Sequence, residues 1–147
     1  MGQHFLADER VIAHIVSAFD PRADETVVEI GSGRGALTSR LVERVGRLVA
    51  IEFDRELVPL LRERYGGRGN FTLLEADALV TDYCGAIRPA EKARVVANLP
   101  YNISTAILQR LIEQRRCLTE MVLMLQREVV ERITAPPATS GRGFLSV

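Results

Sequence analysis

The sequence predicts an α/β domain built on a doubly wound, mostly parallel sheet. Short runs rich in β-branched and aliphatic residues alternate with segments of helical periodicity along the whole chain, the signature of successive βαβ units. A glycine cluster, Gly31, Gly33 and Gly35, also stands between the first such run and the helix after it, where a sheet of this kind receives ligands. At 147 residues, 47% of them hydrophobic, the chain is long enough for one domain with a real core.

Taken in order, Val11, Ile12, Ile15, Val16 and Phe19 recur at helical spacing behind Asp8, an expected N-cap, and Asp20-Pro21 ends that helix. Thr26-Val27-Val28-Glu29-Ile30 reads as a buried strand. A helix with Leu37, Leu41, Val42 and Val45 inward follows. Residues 47–53 repeat the strand signal and 56–65 the helical one, with Pro59 in the first turn, where its missing N–H does no harm. Gly66-Gly67-Arg68-Gly69 turns the chain into a third strand, 71–75, which ends at Ala76-Asp77. A looser stretch through Pro89 leads to a fourth strand, 94–97, delivering Asn98 at its carboxyl end. Ser104 is expected to cap a helix carrying Ile107, Leu108, Leu111 and Ile112. A fifth strand is expected over 120–125 and a helix over 127–134, before Pro136-Pro137. The apolar ending, Gly143 to Val147, reads as the start of a further element, so the sheet is expected to lack its last strands.

Composition narrows the partners. Lys plus Arg and Asp plus Glu stand at 19 each, so net charge argues neither for nor against nucleic acid, and a local patch must carry that case. Cys84 and Cys117 are isolated and lack metal-ligand spacing, which predicts reduced thiols in a cytoplasmic protein and no metal site. No apolar run approaches the length needed to span a bilayer, so no membrane partner is expected, and nothing suggests more than a monomer.

Glu29-Ile30-Gly31-Ser32-Gly33-Arg34-Gly35 follows a strand and opens a helix, the context in which glycines let a backbone approach a nucleotide-type ligand. Glu52, ending the second strand about 20 residues beyond the loop, is placed to accept hydrogen bonds from ribose hydroxyls. Asp77, at the end of the third, is placed to accept one from an adenine amine. The spacing is not Gly-x-Gly-x-x-Gly and no nicotinamide site is evident. That points to a single-nucleoside cofactor, with S-adenosylmethionine the natural candidate. Asn98-Leu99-Pro100-Tyr101 closes the fourth strand on the same edge. An Asn side-chain oxygen and the carbonyl of the next Leu or Pro can accept the two protons of an exocyclic base amine, and the aromatic ring can stack on an unstacked base.

Six segments in one order, Gly2-Gln3-His4-Phe5-Leu6, residues 29–38, Ile51-Glu52-Phe53-Asp54, Asp77-Ala78-Leu79, residues 98–105 and Gln126-Arg127-Glu128-Val129, resemble the ribosomal RNA adenine dimethyltransferases. Leu99, where the large-subunit branch usually has Ile, together with residues 126–129, resembles the KsgA-type branch that acts on small-subunit RNA. The resemblance implies a Rossmann-like class I methyltransferase that dimethylates two neighbouring adenines of small-subunit ribosomal RNA. It further implies that His4 and Leu6 contact the cofactor, with Gly31, Glu52, Asp77 and Asn98 completing its site. His4 replaces the family's usual Asn, and an imidazole can still donate one hydrogen bond. Residues 1–147 would be the catalytic, cofactor-binding domain, lacking a C-terminal helical domain that helps grip RNA. Arg115, Arg116 and Arg127 are candidate RNA contacts. Two alternatives stand beside this reading: an assembly factor that binds the immature small subunit, with methylation secondary, and an adenine methyltransferase for large-subunit RNA or DNA.

Overall fold

Every strand expected from an apolar run forms in the computed structural model, which describes residues 8–99, 102–124 and 144–146. Helix α1 (Glu9–Phe19) starts where the Asp8 side chain accepts a hydrogen bond from Arg10 N–H and ends at Asp20, whose φ of 52° turns the chain out of the helix. Then come β1 (Thr26–Ile30), α2 (Thr38–Leu41), β2 (Arg47–Glu52), α3 (Leu57–Tyr65), β3 (Phe71–Glu75), α4 (Tyr83–Ala86), β4 (Ala93–Asn98), α5 (Ser104–Glu113), β5 (Leu118–Met124) and β6 (Phe144–Ser146). The sheet order is β3-β2-β1-β4-β5-β6, parallel through β5, with β6 antiparallel on the outer edge of β5. Strand order reverses between β1 and β4, and in such sheets ligands bind at the carboxyl ends of the strands beside this switch point.

Alternation along each strand sends side chains to two cores. Val28, Ile30, Val49, Ile51, Val95 and Ala97 pack with Tyr83, Ile87, Ile107 and Leu111 from the α4 and α5 side. Val27, Leu48, Ala50 and Val96 pack on the other face with Ile12, Ile15, Phe19, Leu37, Leu41 and Val45 from α1 and α2. Both faces are covered, as a parallel sheet requires.

Five details differ from the sequence reading. Regular helix in α2 covers only Thr38–Leu41, but αR backbone continues on either side at Leu37 and Val42, so the inward set is buried as expected. Ser104 is the first residue of α5 rather than its cap, which is Ile103. The stretch before Pro89 contains the one-turn helix α4, capped by Asp82, and the C-terminal residues add β6. The cysteines depart furthest: Cys84 and Cys117, expected as independent reduced thiols, form a disulfide with Cα atoms 5.7 Å apart. They lie 33 residues apart in sequence, and only the crossover from α4 to β5 brings them together. The cysteines therefore lend no support to a reducing compartment. The helix expected over 127–134 lies outside the described residues. Among the described residues no helix is long and apolar enough to cross a membrane.

At the amino edge of the sheet, Arg94 ties three elements together. Its guanidinium donates to Glu25 Oε2 at 2.6 Å, Glu120 Oε1 at 2.8 Å and the Phe19 carbonyl at 2.7 Å, and stacks 3.9 Å over the Phe19 ring. Removing the cation strands a Glu25 carboxylate whose side chain is only 15% exposed. Arg94→Met is expected to lower stability by about 2 to 3 kcal/mol, read as a smaller urea midpoint with unchanged slope.

Candidate cofactor and amine site

The loop after β1 is shaped by three left-handed glycines, Gly31, Gly33 and Gly35, with φ of 77°, 58° and 92°. L-residues pay for such angles, whereas glycine does not. Gly31 is also held by space: a Cβ there would lie 2.4 Å from the carbonyl oxygen of Asn98. The loop therefore lies directly against the end of β4, across the point where the sheet reverses. Two contacts from α3 fix its far side, Arg64 donating to the Arg34 carbonyl at 3.1 Å and the Tyr65 hydroxyl to the Gly35 carbonyl at 3.4 Å.

Glu52 closes the floor. Its carboxylate accepts the N–H of Gly33 at 3.3 Å through one oxygen and those of Phe53 and Asp54 at 3.2 and 3.1 Å through the other. Burial nevertheless raises its pKa above the ordinary value, outweighing these three donors. Asp54 Oδ1 accepts the N–H of Glu56, the N-cap of α3, at 2.8 Å. Asp77 is half-buried after β3, with Oδ1 accepting Leu79 N–H and its carbonyl accepting the Thr81 hydroxyl.

The segment carrying Asp77 is fastened to α5. Arg110 donates to the Thr81 carbonyl at 2.8 Å, and Gln114 Oε1 accepts the N–H groups of Tyr83 and Cys84 at the start of α4.

Asn98 occupies the centre. Its residue is 4% exposed, and neither Oδ1 nor Nδ2 has a hydrogen-bond partner among the described residues. Ser32 Oγ in the glycine loop is in the same condition. Buried amide atoms without partners cost about 1 to 3 kcal/mol each, so native proteins keep few of them. A cluster of such atoms at the carboxyl ends of β1 and β4 is suited to a polar ligand, and the glycine cradle beside it offers close backbone approach. The residues present thus fit a nucleoside-type group. Leu99 N–H pairs with the Met124 carbonyl at 3.2 Å and its side chain is buried in the α5-side core, leaving only its backbone for chemistry. Gly31, Gly33, Glu52 and Asn98 are thus brought together, with Asp77 on the same edge. His4, Leu6, Pro100 and Tyr101 lie outside the described residues.

Two residues of the region were not singled out from the sequence. Phe53 follows Glu52 and is 66% exposed, an aromatic face beside the cradle. Glu29 is 2% exposed and accepts a 2.6 Å hydrogen bond from the Thr38 hydroxyl, so it anchors α2 beneath the glycine loop. Its signal was present: an acid inside the run Thr26–Ile30, which is otherwise apolar after its first residue. Burial pushes its pKa up to about 7 from 4.5, helped by the negative Glu52 nearby. A raised carboxyl pKa means that the folded state binds a proton more tightly than the unfolded one. This contribution to stability is full below pH 4.5 and is lost as pH rises through about 7. Glu29→Gln keeps an acceptor for Thr38 and removes the titration. It is expected to cancel a fall of roughly 3 kcal/mol between pH 5 and 8, measured as urea stability across that range. A variant with the wild-type slope would contradict the assignment.

The full chain, residues 1–147, matches the family model for ribosomal RNA adenine dimethylases. It is 47% identical over 146 residues to a ribosomal RNA small subunit methyltransferase A of Coxiella burnetii (strain RSA 331 / Henzerling II), covering 99% of this chain and 56% of that protein. It is 46% identical over 147 residues to the protein of the same description from Acidobacterium capsulatum, covering 100% of this chain and 52% of the relative. The chain thus spans about half the length of the curated relatives it matches. Among solved structures it is similar to the 23S rRNA methyltransferase ErmE, with a TM-score of 0.73 and 30% identity over 84% of this chain and 48% of the other. A dimethyladenosine transferase from Plasmodium falciparum gives the same TM-score and identity, over 87% of this chain and 45% of the other. The fold is that of the Rossmann-like methyltransferases.

Proposed function

This chain belongs to the ribosomal RNA adenine dimethylase family, and from that premise we propose that it is the catalytic and cofactor-binding part of an S-adenosylmethionine-dependent enzyme that converts adenines of small-subunit ribosomal RNA to N6,N6-dimethyladenosine. The observation that carries the proposal is Asn98, a buried amide at the end of β4 without a partner among the described residues, in van der Waals reach of the cradle at Gly31. In this reading Gly31 and Gly33 admit the cofactor, Glu52 accepts from its ribose, Asp77 accepts from its adenine amine and Phe53 covers the adenine ring. His4 and Leu6 contact it from the N-terminal segment.

When bound, S-adenosylmethionine supplies a methyl group on a positively charged sulfur. The chain supplies alignment. Adenine N6 is a poor nucleophile because its lone pair is delocalised into the ring. Asn98 Oδ1 accepts one amine proton and the carbonyl of Leu99 or Pro100 the other, which turns the lone pair out of the ring plane and toward the donor. Tyr101 stacks on the base once it has left its own stack. Methylation makes the amine acidic, so its proton passes to water and no general base is required. Holding donor and acceptor in line is the source of rate, and a second cycle on the same nitrogen gives the dimethyl product.

The test supplies labelled S-adenosylmethionine with under-methylated small subunits, free ribosomal RNA and duplex DNA. Label on small-subunit adenines is expected. Label on DNA alone, or on large-subunit RNA alone, would overturn the substrate assignment, and tight subunit binding with no transfer would favour the assembly role.

A further inference from the structure

We propose that a basic crevice at the amino ends of β4 and β5 holds a phosphodiester of the RNA strand, on the sheet edge opposite the amine site. The inference rests on the RNA substrate proposed above. The crevice has a volume of about 440 Å³ and is lined by Arg88, Lys92 and Arg116, with Glu91 and the Cys84–Cys117 pair. It stands a β4 length from Asn98, roughly 16 Å at the rise of a parallel strand.

Three arginines of the fold show how this chain treats a structural cation. Arg94 is saturated by carboxylates and carbonyls. Arg47 donates to the carbonyls of Ile87 and Arg88 and to the Thr72 hydroxyl. Arg110 donates twice to the Thr81 carbonyl. The guanidinium groups of Arg88 and Arg116 are exposed and make no hydrogen bond or ion pair with any described residue.

Their mounting is nonetheless fixed. Arg47 holds the carbonyl of Arg88 at 2.8 Å, and Lys92 Nζ holds the carbonyl of Arg116 at 2.7 Å. Both arginines are therefore mounted on braced backbone and line one crevice. Three cations against Glu91 leave a local positive excess on a chain whose total charge is zero. A pair of guanidinium forks suits an oxyanion with several acceptor oxygens, and a long polyanion already docked at the opposite edge is the ligand that can reach it.

The variant Arg88→Gln/Arg116→Gln keeps both braced carbonyls and removes only the forks. Its affinity for small-subunit ribosomal RNA is expected to fall about tenfold at low salt, and the slope of log K against log salt to flatten by about 1 to 2. The charge-matched control Arg44→Gln/Arg62→Gln, also exposed arginines, is expected to change affinity less than about twofold. Arg88→Lys/Arg116→Lys should restore most of the salt slope, and melting temperature confirms that all three variants fold. If the crevice variant and the control bind equally, or wild type binds no tighter than the crevice variant, the contact is overturned, whatever label transfer shows. A clear binding contrast with no label on adenine would support the crevice and overturn the methyl-transfer reading.

Discussion

Replacing Asn98 by alanine is expected to lower methyl transfer by about a hundredfold or more while leaving thermal stability nearly unchanged. The two halves of this expectation have one cause. Oδ1 and Nδ2 are buried without partners among the described residues, so the folded chain carries their desolvation cost in exchange for a site. Alanine removes both atoms and that cost, and leaves a small void in their place, two effects that offset to within about 1 kcal/mol. A core asparagine with satisfied bonds would behave oppositely, its loss destabilising the fold. Rates with labelled cofactor, beside melting curves of both proteins, separate the cases. More than half the wild-type rate in Asn98→Ala would remove the amide from the mechanism, and a large fall in melting temperature would recast it as a packing residue.

Gly31→Ala is expected to impair fold and cofactor binding together. A Cβ at Gly31 meets the Asn98 carbonyl oxygen at 2.4 Å, and the backbone φ is 77°. The left-handed angle alone costs an L-residue about 1 to 2 kcal/mol, and the clash is with backbone that cannot swing aside. A loss of about 3 kcal/mol, or roughly 10 °C in melting temperature, follows. Relief of the clash separates the loop from the end of β4, so affinity for S-adenosylmethionine should drop with it. Gly67 and Gly69 provide the contrast, since a Cβ at either meets nothing within 4 Å. Alanine there should leave both readouts close to wild type. A Gly31→Ala protein with wild-type melting and cofactor affinity would mean that the loop and Asn98 are not braced against each other.

What could be read from the sequence follows the range of the interactions involved. The parallel strands are legible because burial on both faces demands near-continuous apolar runs, as at Leu48–Ile51 and, broken only by the buried Glu29, at Val27–Ile30. The left-handed glycines are legible because few other residues tolerate their angles. Helix α4 is not, since four residues with a glycine among them carry no periodicity. Its stabilising partner, Gln114, comes from 31 residues away, and the disulfide partner of Cys84 from 33. The hydrogen bonds of Glu52 show the same limit within the site. Its strand-end position is readable, but its grip on the N–H of Gly33 depends on how the loop folds back, which no local pattern encodes.

The attachment of the Asp77 segment to α5 has a mechanical consequence. Helix α5 begins at Ser104, six residues after Asn98, and through Arg110 and Gln114 it also carries the chain around Thr81, Tyr83 and Cys84. In the proposed reading the helix is thus a yoke between Asp77, assigned to the donor nucleoside, and Asn98, assigned to the target amine. A displacement of α5 is therefore expected to move the two halves of the proposed pocket together.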